Sequence, residues 1–362
     1  MIGGDGLLVV SRCRVRAGIV ALLVAGGGLG AAASAASSAS EALVTPSQAR
    51  AELTSLWAAR EAARSAGDSA ALRVIDMGAA RDRDIGLISY ARGERLPEPW
   101  AKRPLGPSVV VVPFQTHYPI SFLAFVETRE EYAAYTTGPA AQIGFETVML
   151  VVVKSSPSAR WRVANESHYG GRFNFTPPAS GTYAPPIPAG DTWISPLAAL
   201  QDLARLDQLE VDHGVSGAMA DTSNLFLPGA WTTGNSTPVV DNGRNGLRGQ
   251  GFKAINTFSV DPSIDGIYQF VGPDSLNVVC GTIRIHAVVT PGQPGGALLQ
   301  NASRTNWGGF LAPGLYRAIY GQGLNQVCLG IGPHAATGAI IEVSGEAPGF
   351  DKWTETGTPA RG

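Results

Sequence analysis

Hydrophobic and polar residues follow two successive patterns around residue 150, and together they predict a β-hairpin over 146–166. The first part is an unbroken apolar run rich in β-branched residues, which is typical of a strand covered on both faces. A Ser-Ser-Pro-Ser turn follows it. In the last part Trp161 and Val163 alternate with Arg160 and Arg162, which indicates a strand with one exposed face.

Helical spacing of apolar residues predicts an amphipathic helix near the start of the folded chain. Thr45 is expected as its N-cap, Pro46 suits the first helical position, and Gln48 completes a capping box. Gly67-Asp68 breaks this helix, and either Asp68 or Ser69 caps a second one. The apolar stripes are Ala49, Leu53, Leu56 and Trp57 in the first helix and Leu72, Ile75 and Ala79 in the second.

The charged residues of these helices are expected on solvated faces. Arg60 and Glu61 fall on the polar side of the first helix. The alternating charges of residues 81–84 are typical of an exposed helix surface.

The second half of the chain begins as the first half does, with a helix followed by strands. Ser195 supplies an N-cap, Pro196 takes the first helical position, and His213-Gly214 ends the helix. This order of elements predicts an α+β fold in which each half packs a helix on a curved antiparallel sheet. The remaining strand candidates are 108–114, 120–127, 253–260, 266–271, 276–289, 314–320, 324–331 and 338–344.

Composition divides the chain into five segments. Residues 1–40 are expected to be a signal peptide or an N-terminal anchor, and 45–166 the first α+β domain. A segment rich in proline and glycine, 167–194, is interpreted as a linker, either a packed arm or a flexible tether. Residues 195–346 are predicted to form a second, strand-rich α+β domain, followed by a tail at 347–362.

The N-terminal segment has the three parts of an export signal in the right order. Arg12, Arg14 and Arg16 precede an apolar run at 17–30, and an Ala-x-Ala pattern lies at 33–35. An uncleaved anchor is the alternative, because the run approaches the ~17 residues that can span a bilayer. Either way, the protein is predicted to be extracytoplasmic, and to touch the membrane only through this segment if it is uncleaved.

Two cysteines, Cys280 and Cys328, follow the export segment. In an oxidising compartment an even pair predicts a disulfide, and two buried free thiols are the alternative. No C-x-x-C or H-x-x-x-H spacing accompanies them, so neither a metal nor a cofactor is predicted.

The charge balance argues against a nucleic-acid partner. Charged residues make up 15% of the chain, and the net charge is −2. A protein that binds nucleic acid needs a basic excess to neutralise phosphates, and this chain has none.

Five residues are candidates for a ligand pocket. His117 and Tyr118 lie at a predicted strand junction, where a pocket would open. Together with Tyr90, Trp161 and His168 they can line an apolar cavity that carries a few polar groups. In the alternative interpretation, His117 only caps a strand end and Tyr118 packs against the core.

The first half resembles the NTF2/SnoaL-type cone, in which amphipathic helices fill the mouth of a bent sheet. Residues 45–345 are also similar to a group of exported actinobacterial two-domain proteins that share Leu-Ala-Pro-Gly-Leu-Tyr-Arg, here at 311–317. The cone family contains both enzymes and binding domains, so the resemblance implies a fold and leaves the activity open. The residues that carry it are Ser47-Gln48-Ala49, Leu56-Trp57, Glu61-Ala62-Ala63, Gly67-Asp68 and Leu72.

Two functions follow from these observations. The first is a non-catalytic binding or scaffold module of the cell envelope, with an envelope protein or a small apolar ligand as its partner. The alternative is a cone-fold hydrolase or isomerase in which His117 acts as general base beside a carboxylate.

Overall fold

Residues 41–362 form one compact unit in the computed structural model. The predicted signal or anchor at 1–40 lies outside the residues that the structure describes. The described residues are 41–93, 102–131, 143–170, 181–186, 195–213, 226, 252–271, 277–293, 298–300, 314–331, 341–346 and 354–359.

The first helix, α1 (Pro46–Ser65), begins at the predicted capping box. The Gln48 amide N–H donates to the Thr45 hydroxyl at 3.2 Å, and the Thr45 amide N–H donates to the Gln48 side-chain oxygen at 2.8 Å. These two bonds satisfy backbone groups that a helix end otherwise leaves unpaired.

The prediction of a single second helix is wrong, because the chain forms α2 (Ser69–Ile75) and α3 (Gly78–Gly93). Between them Asp76 is extended, with φ −105° and ψ 159°, and it pairs with Val163 of the first sheet. Gly78 then adopts a φ of +53°, which a glycine tolerates without strain. This break places Asp76 against the sheet.

The first sheet is antiparallel, and its strand order follows the sequence. The predicted hairpin is confirmed as its last two strands, although the second of them runs on to Gly170, inside the predicted linker. The strands are β1 (Ser108–Val111), β2 (Ile120–Glu131), β3 (Ile143–Lys154) and β4 (Arg162–Gly170).

The second sheet has seven strands and is also antiparallel. Its leading helix, α4 (Pro196–His213), has the predicted bounds, and a short helix, α5 (Pro262–Asp265), follows the first strand. The strands are β5 (Phe252–Ser259), β6 (Tyr268–Val271), β7 (Asn277–Pro291), β8 (Leu298–Gln300), β9 (Gly314–Ile331), β10 (Ile341–Glu346) and β11 (Thr354–Pro359).

Two predictions about the C-terminal strands are wrong. The candidates 314–320 and 324–331 form one continuous strand, β9, which runs through Gly321 and Gly323. The predicted tail at 347–362 contributes β11, which pairs with β9. One long strand therefore carries β7 and β8 on one edge and β10 and β11 on the other.

The α+β class is confirmed, and the elements stack as four layers. The helices of the first half cover one face of the first sheet, through α1 residues such as Leu53 and Trp57. The other face packs against the second sheet, where Leu123 and Met149 share a core with Phe270. Helix α4 covers the other face of the second sheet. Two separate domains are not confirmed, since the sheets share a core; parts of the predicted linker lie outside the described residues.

The predicted disulfide joins Cys280 of β7 to Cys328 of β9. The two residues are directly paired across the strands, and both are buried in the core between the sheets. Among the helices in the described part of the chain, none combines the length and apolarity needed to cross a membrane.

A single glycine sets the distance between α4 and the second sheet. Gly281 of β7 lies under Leu200 of α4, and a Cβ atom at this position would collide with the Leu200 side chain. Leu200 is fully buried, so it has little room to move away.

We expect Gly281→Ala to lower the free energy of unfolding by about 1–3 kcal/mol, because the added methyl overpacks this contact. The double variant Gly281→Ala, Leu200→Ala should cost less than the sum of the single changes, since it removes the clash. Gly314→Ala is the matched control, because its Cβ would meet only Tyr316 at an ordinary 3.7 Å. Urea unfolding measures all four proteins, and equal losses for the two glycines would contradict this account.

Candidate functional site

Two arginines continue the buried stripe of α1. Arg60 and Arg64 lie at helical spacing from Leu53 and Trp57, and they face the first sheet instead of solvent. Arg60 is only 1% exposed, so the prediction that it lies on a solvated face is wrong. Burial of a guanidinium group requires a carboxylate partner and well-formed hydrogen bonds.

The partner is Glu166 of β4, whose side chain is completely buried. Its Oε2 atom accepts a hydrogen bond from Arg64 Nη2 at 2.9 Å and contacts Arg60 Nη1. Its Oε1 atom lies 3.1 Å from Arg83 Nη1 and 3.3 Å from Arg103 Nη2. One carboxylate therefore meets four guanidinium groups.

A β-bulge turns Glu166 towards the helices. Val163 pairs with Val152 and Asn165 with Val151, so Ala164 is an extra residue in β4. Without the bulge, strict alternation would place Val163 and Glu166 on opposite faces of the sheet. With it, both residues face α1, while Asn165 faces the second sheet and donates to the Gly281 carbonyl at 2.8 Å.

Asp84 of α3 is the second buried carboxylate in contact with the arginines of α1. It accepts from Arg64 Nε at 2.8 Å and Nη2 at 2.6 Å, and it lies 2.9 Å from Arg60 Nη2. The prediction of a solvated face at 81–84 is therefore wrong for Asp84 and for Arg83, which are both buried.

Two further carboxylates complete the arrangement. Asp76, at the break between α2 and α3, places Oδ1 2.7 Å from Arg60 Nε. Glu61 accepts from the Arg103 backbone N–H at 3.0 Å and from Arg103 Nη2 at 2.9 Å. Arg103 also packs over the ring of Trp57, which fixes the position of its guanidinium.

We call this group the Glu166 cluster. It contains four arginines, four carboxylates and one imidazole, so its formal charges balance if every carboxyl group is ionised. Its members are Arg60, Glu61, Arg64, Asp76, Arg83, Asp84, Arg103, Glu166 and His168.

Burial and the arginine charges act in opposite directions on these carboxyl groups. Burial alone would raise the pKa of Asp84, but the charges of Arg60 and Arg64 outweigh it and lower this pKa to about 2. For Glu166 the same balance, with Arg83 added, holds the pKa well below its usual value. Both groups are therefore ionised throughout the neutral range.

Asp76 behaves in the opposite way. Burial raises the pKa of its carboxyl group well above the usual value, and the Asp84 carboxylate adds to the rise. Arg60 offsets only part of it, because this arginine also contacts Asp84 and Glu166.

His168 occupies the edge of the cluster. Its Nε2 atom lies 2.8 Å from Glu166 Oε1 and 3.0 Å from Arg83 Nη1. Because an ionised carboxylate can only accept a hydrogen bond, we assign the proton to Nε2, which then donates to Glu166. This assignment agrees with the lowered pKa of Glu166, to which the hydrogen bond from His168 contributes.

The cluster is also joined to the second sheet. The Glu166 backbone N–H donates to the Gln326 side-chain oxygen at 2.9 Å, and the Ser167 hydroxyl donates to the Gln326 carbonyl at 3.0 Å. Changes at Glu166 are therefore expected to disturb both sheets.

The predicted pocket residues do not all lie together. His168 pairs with Val148, which pairs with Val126, whereas His117 lies just before Ile120 at the other end of β2. Val126 and Ile120 are six residues apart along β2, so the two ends of the sheet at which His168 and His117 lie are about 20 Å apart. Among the described residues, no group of three or more His, Cys, Asp or Glu side chains is placed to hold a metal ion.

Three of the candidates cap the far end of the first sheet. Tyr118 and Trp161 are half-buried against the core, and the Trp161 ring packs edge-on against Phe122 at 5.3 Å. His117 is exposed, and its Nδ1 atom lies 2.8 Å from the Thr116 hydroxyl. Tyr90 belongs to α3, and its side chain lies outside the described residues.

Comparison of the chain with protein-family models, curated proteins and solved structures found no match. The resemblance to the NTF2/SnoaL-type cone therefore stays a prediction.

We expect Glu166→Gln to destabilise the protein by about 3–5 kcal/mol, because it keeps the shape of the side chain but leaves buried arginines uncompensated. The control is Asp202→Asn, which breaks an ion pair with Arg205 at 3.6 Å on an exposed face of α4. That change should cost no more than about 0.5 kcal/mol. Equal midpoints for the two variants in urea unfolding would refute the structural role of the Glu166 cluster.

We also expect opposite behaviour from the two aspartates that contact Arg60. The lowered pKa of Asp84 stabilises the fold above the unfolded value of 3.8, and this contribution is lost as the pH falls towards about 2. The raised pKa of Asp76 stabilises the fold below the unfolded value, and its contribution is lost as the pH rises through the folded value.

At pH 7, Asp84→Asn should therefore cost about 3–5 kcal/mol, because it leaves buried arginines uncompensated, and Asp76→Asn should cost less, because burial already disfavours the charged form of Asp76. The natural protein should lose stability between about pH 5 and pH 2, and Asp84→Asn should lose less over the same interval. Urea unfolding at a series of pH values tests both statements. A larger loss of unfolding free energy for Asp76→Asn than for Asp84→Asn would contradict the opposite pKa shifts of the two aspartates.

Proposed function

We propose that this chain is an exported protein of the cell envelope that works as a non-catalytic binding or scaffold module. The preferred partner is an envelope protein, and a small apolar ligand is the second candidate. The assignment of the first half to the NTF2/SnoaL-type cone, and of the chain to an actinobacterium, rests on the sequence resemblance alone.

The observation that carries the proposal is that the buried carboxylates of Glu166 and Asp84 are paired with arginines. Each oxygen of Glu166 contacts cationic or imidazole nitrogens, and Asp84 is likewise held by Arg60 and Arg64. A carboxylate whose pKa lies near 2 is a weak base at neutral pH, so it contributes little to proton abstraction. The cluster is better suited to fixing the helices on the sheet.

The partner surface is supported by an exposed row of residues on the second sheet. Ile255 of β5 pairs with Val288 of β7, and Val288 pairs with Tyr320 of β9. Ile255 is 67% exposed and Tyr320 is 47% exposed. Tyrosine is enriched at the centres of protein interfaces, and a partner that covers the row gains apolar contact area.

Export is supported by the disulfide and by the predicted N-terminal segment. A buried disulfide between the central strands of a sheet is stable where the surroundings are oxidising. The near-neutral net charge agrees with a partner other than nucleic acid.

We expect complementation of a strain that lacks the chain to distinguish the two proposed functions; the measurement is how far each variant restores the trait that the strain has lost. His117→Ala should restore this trait as fully as the natural sequence does, because a binding module gives the His117 side chain no chemical role. The pair Ile255→Asp, Tyr320→Asp should fail to restore it, since the loss of two apolar anchors weakens an interface by about 30-fold or more. Thermal unfolding of the purified variants provides the control for folding.

The opposite result would favour the hydrolase or isomerase. In that case His117→Ala abolishes the trait, and the charged pair on the second sheet leaves it intact. Export is measured separately, through protease access in spheroplasts and alkylation of the cysteines without reductant. A cytoplasmic protein with reactive Cys280 and Cys328 would overturn the proposed location.

A further inference from the structure

One end of the first sheet gathers exposed and half-buried apolar side chains. The register Ile120 with Lys154 places the loop 113–119 and the turn 155–161 at the same end of the sheet. At this end Phe114 is 55% exposed, and its ring meets the ring of Tyr183 edge-on at 5.4 Å. We call this surface the aromatic end; its apolar members are Leu43, Phe114, Tyr118, Trp161 and Tyr183.

Hydrogen bonds hold the aromatic end in place. The Leu43 backbone N–H donates to the Gln115 carbonyl at 2.9 Å, and the Ala184 N–H donates to the Val112 carbonyl at 2.8 Å. The Gln115 side chain bonds both the N–H and the carbonyl of Ser121, at 2.9 Å and 2.7 Å. The apolar side chains therefore project from a fixed backbone and need little ordering when they bind.

The chemistry of the aromatic end suits the boundary between lipid and water. Tyr118 and Trp161 each have an apolar body and a polar group, which is the type of side chain enriched at the headgroup level of membranes. Lys154 and Arg160 flank the same turn, and cations near the surface attract anionic lipids. Glu41 is the exposed carboxylate beside Leu43, and it opposes this attraction in part.

The short connection between the predicted N-terminal apolar run and Leu43 also favours a lipid bilayer as the binding partner of the aromatic end. Leu43 is bonded to the loop of the aromatic end, and only residues 31–40 separate the predicted apolar run at 17–30 from Glu41. Ten residues reach at most about 35 Å, even when fully extended. An apolar run in a bilayer would therefore keep this end of the sheet near the lipid surface.

We propose that the aromatic end docks on the surface of an anionic lipid bilayer. Leu43 and Phe114 enter the headgroup region, and Lys154 and Arg160 contact lipid phosphates. The inference rests on the extracytoplasmic location in the proposed function, and it assigns a second contact surface to the protein, apart from the row Ile255, Val288 and Tyr320.

The first test uses the chain from Glu41 onward, which corresponds to the compact unit, with its folding checked by circular dichroism and thermal unfolding. It is mixed with vesicles of phosphatidylcholine containing 30% phosphatidylglycerol by design, and bound protein is separated by flotation. We expect Leu43→Ser, Phe114→Ser to weaken vesicle binding at least about tenfold, which corresponds to ~1.4 kcal/mol. Lys154→Gln, Arg160→Gln should remove most of the preference for anionic over neutral vesicles.

The matched control is Ile255→Ser, Tyr320→Ser, which removes two side chains of comparable exposure from the second sheet. This variant should float with vesicles as well as the natural sequence does. Absence of vesicle binding by the natural sequence, or an equal loss in the control, would overturn the proposal.

A second test uses the full chain, with Cys13→Ser to remove the free thiol of the N-terminal segment, reconstituted in nanodiscs of the same lipids. Phe114→Cys and Ile255→Cys are compared for their rates of labelling by a membrane-impermeant maleimide. We expect the cysteine at position 114 to be protected and the one at 255 to react freely. Equal rates in the nanodisc would contradict docking through the aromatic end.

The two proposals can fail independently. A protein that is exported but does not bind vesicles refutes the docking surface and leaves the proposed function standing. A protein that binds vesicles but is recovered from the cytoplasm refutes the proposed location, and it removes the biological setting for the docking.

Discussion

The structure depends on the neutralisation of one buried carboxylate. Glu166 has no contact with water, and the cost of removing a carboxylate from water is several kcal/mol unless cations and hydrogen bonds replace the solvent. The replacements come from distant parts of the chain, because Arg60 and Arg64 belong to α1, Arg83 to α3, and Arg103 to the segment before β1. An arrangement of α1 and α3 that separated the arginines from Glu166 would leave charges unpaired, so the cluster favours a single packing of the helices on the sheet.

The same carboxylate connects the layers. Its side chain faces the helices, its backbone N–H is bonded to Gln326, and the neighbouring Asn165 and Ser167 hold β7 and β9. The bulge at Ala164 makes this possible, because it turns Glu166 to the same face as Val163, towards the helices. Strand β4 is therefore the junction at which the charged layer on one side and the shared apolar core on the other are fixed together.

Local signals predicted the elements well, and signals that depend on distant contacts did not. The capping box of α1, the hairpin at 146–166 and the bounds of α4 are all written in neighbouring residues. The burial of Arg60 was visible only as its place in the stripe of Leu53 and Trp57, and charge argued against that interpretation. The orientation of Glu166 depends on the bulge, and the continuity of β9 through Gly321 depends on partner strands. Periodicity within one segment cannot detect either feature.

Strand β9 has a consequence for the order in which the protein can be assembled. Its edge opposite β7 is shared by β10 and β11, and both follow it in the sequence. Until residues 341–359 have been synthesised, part of the longest strand in the described chain has unpaired backbone groups, and such edges recruit other chains. A ribosome that stops shortly after Ile331 would therefore release an aggregation-prone product, although the cores around α1 and α4 would by then have been completely translated.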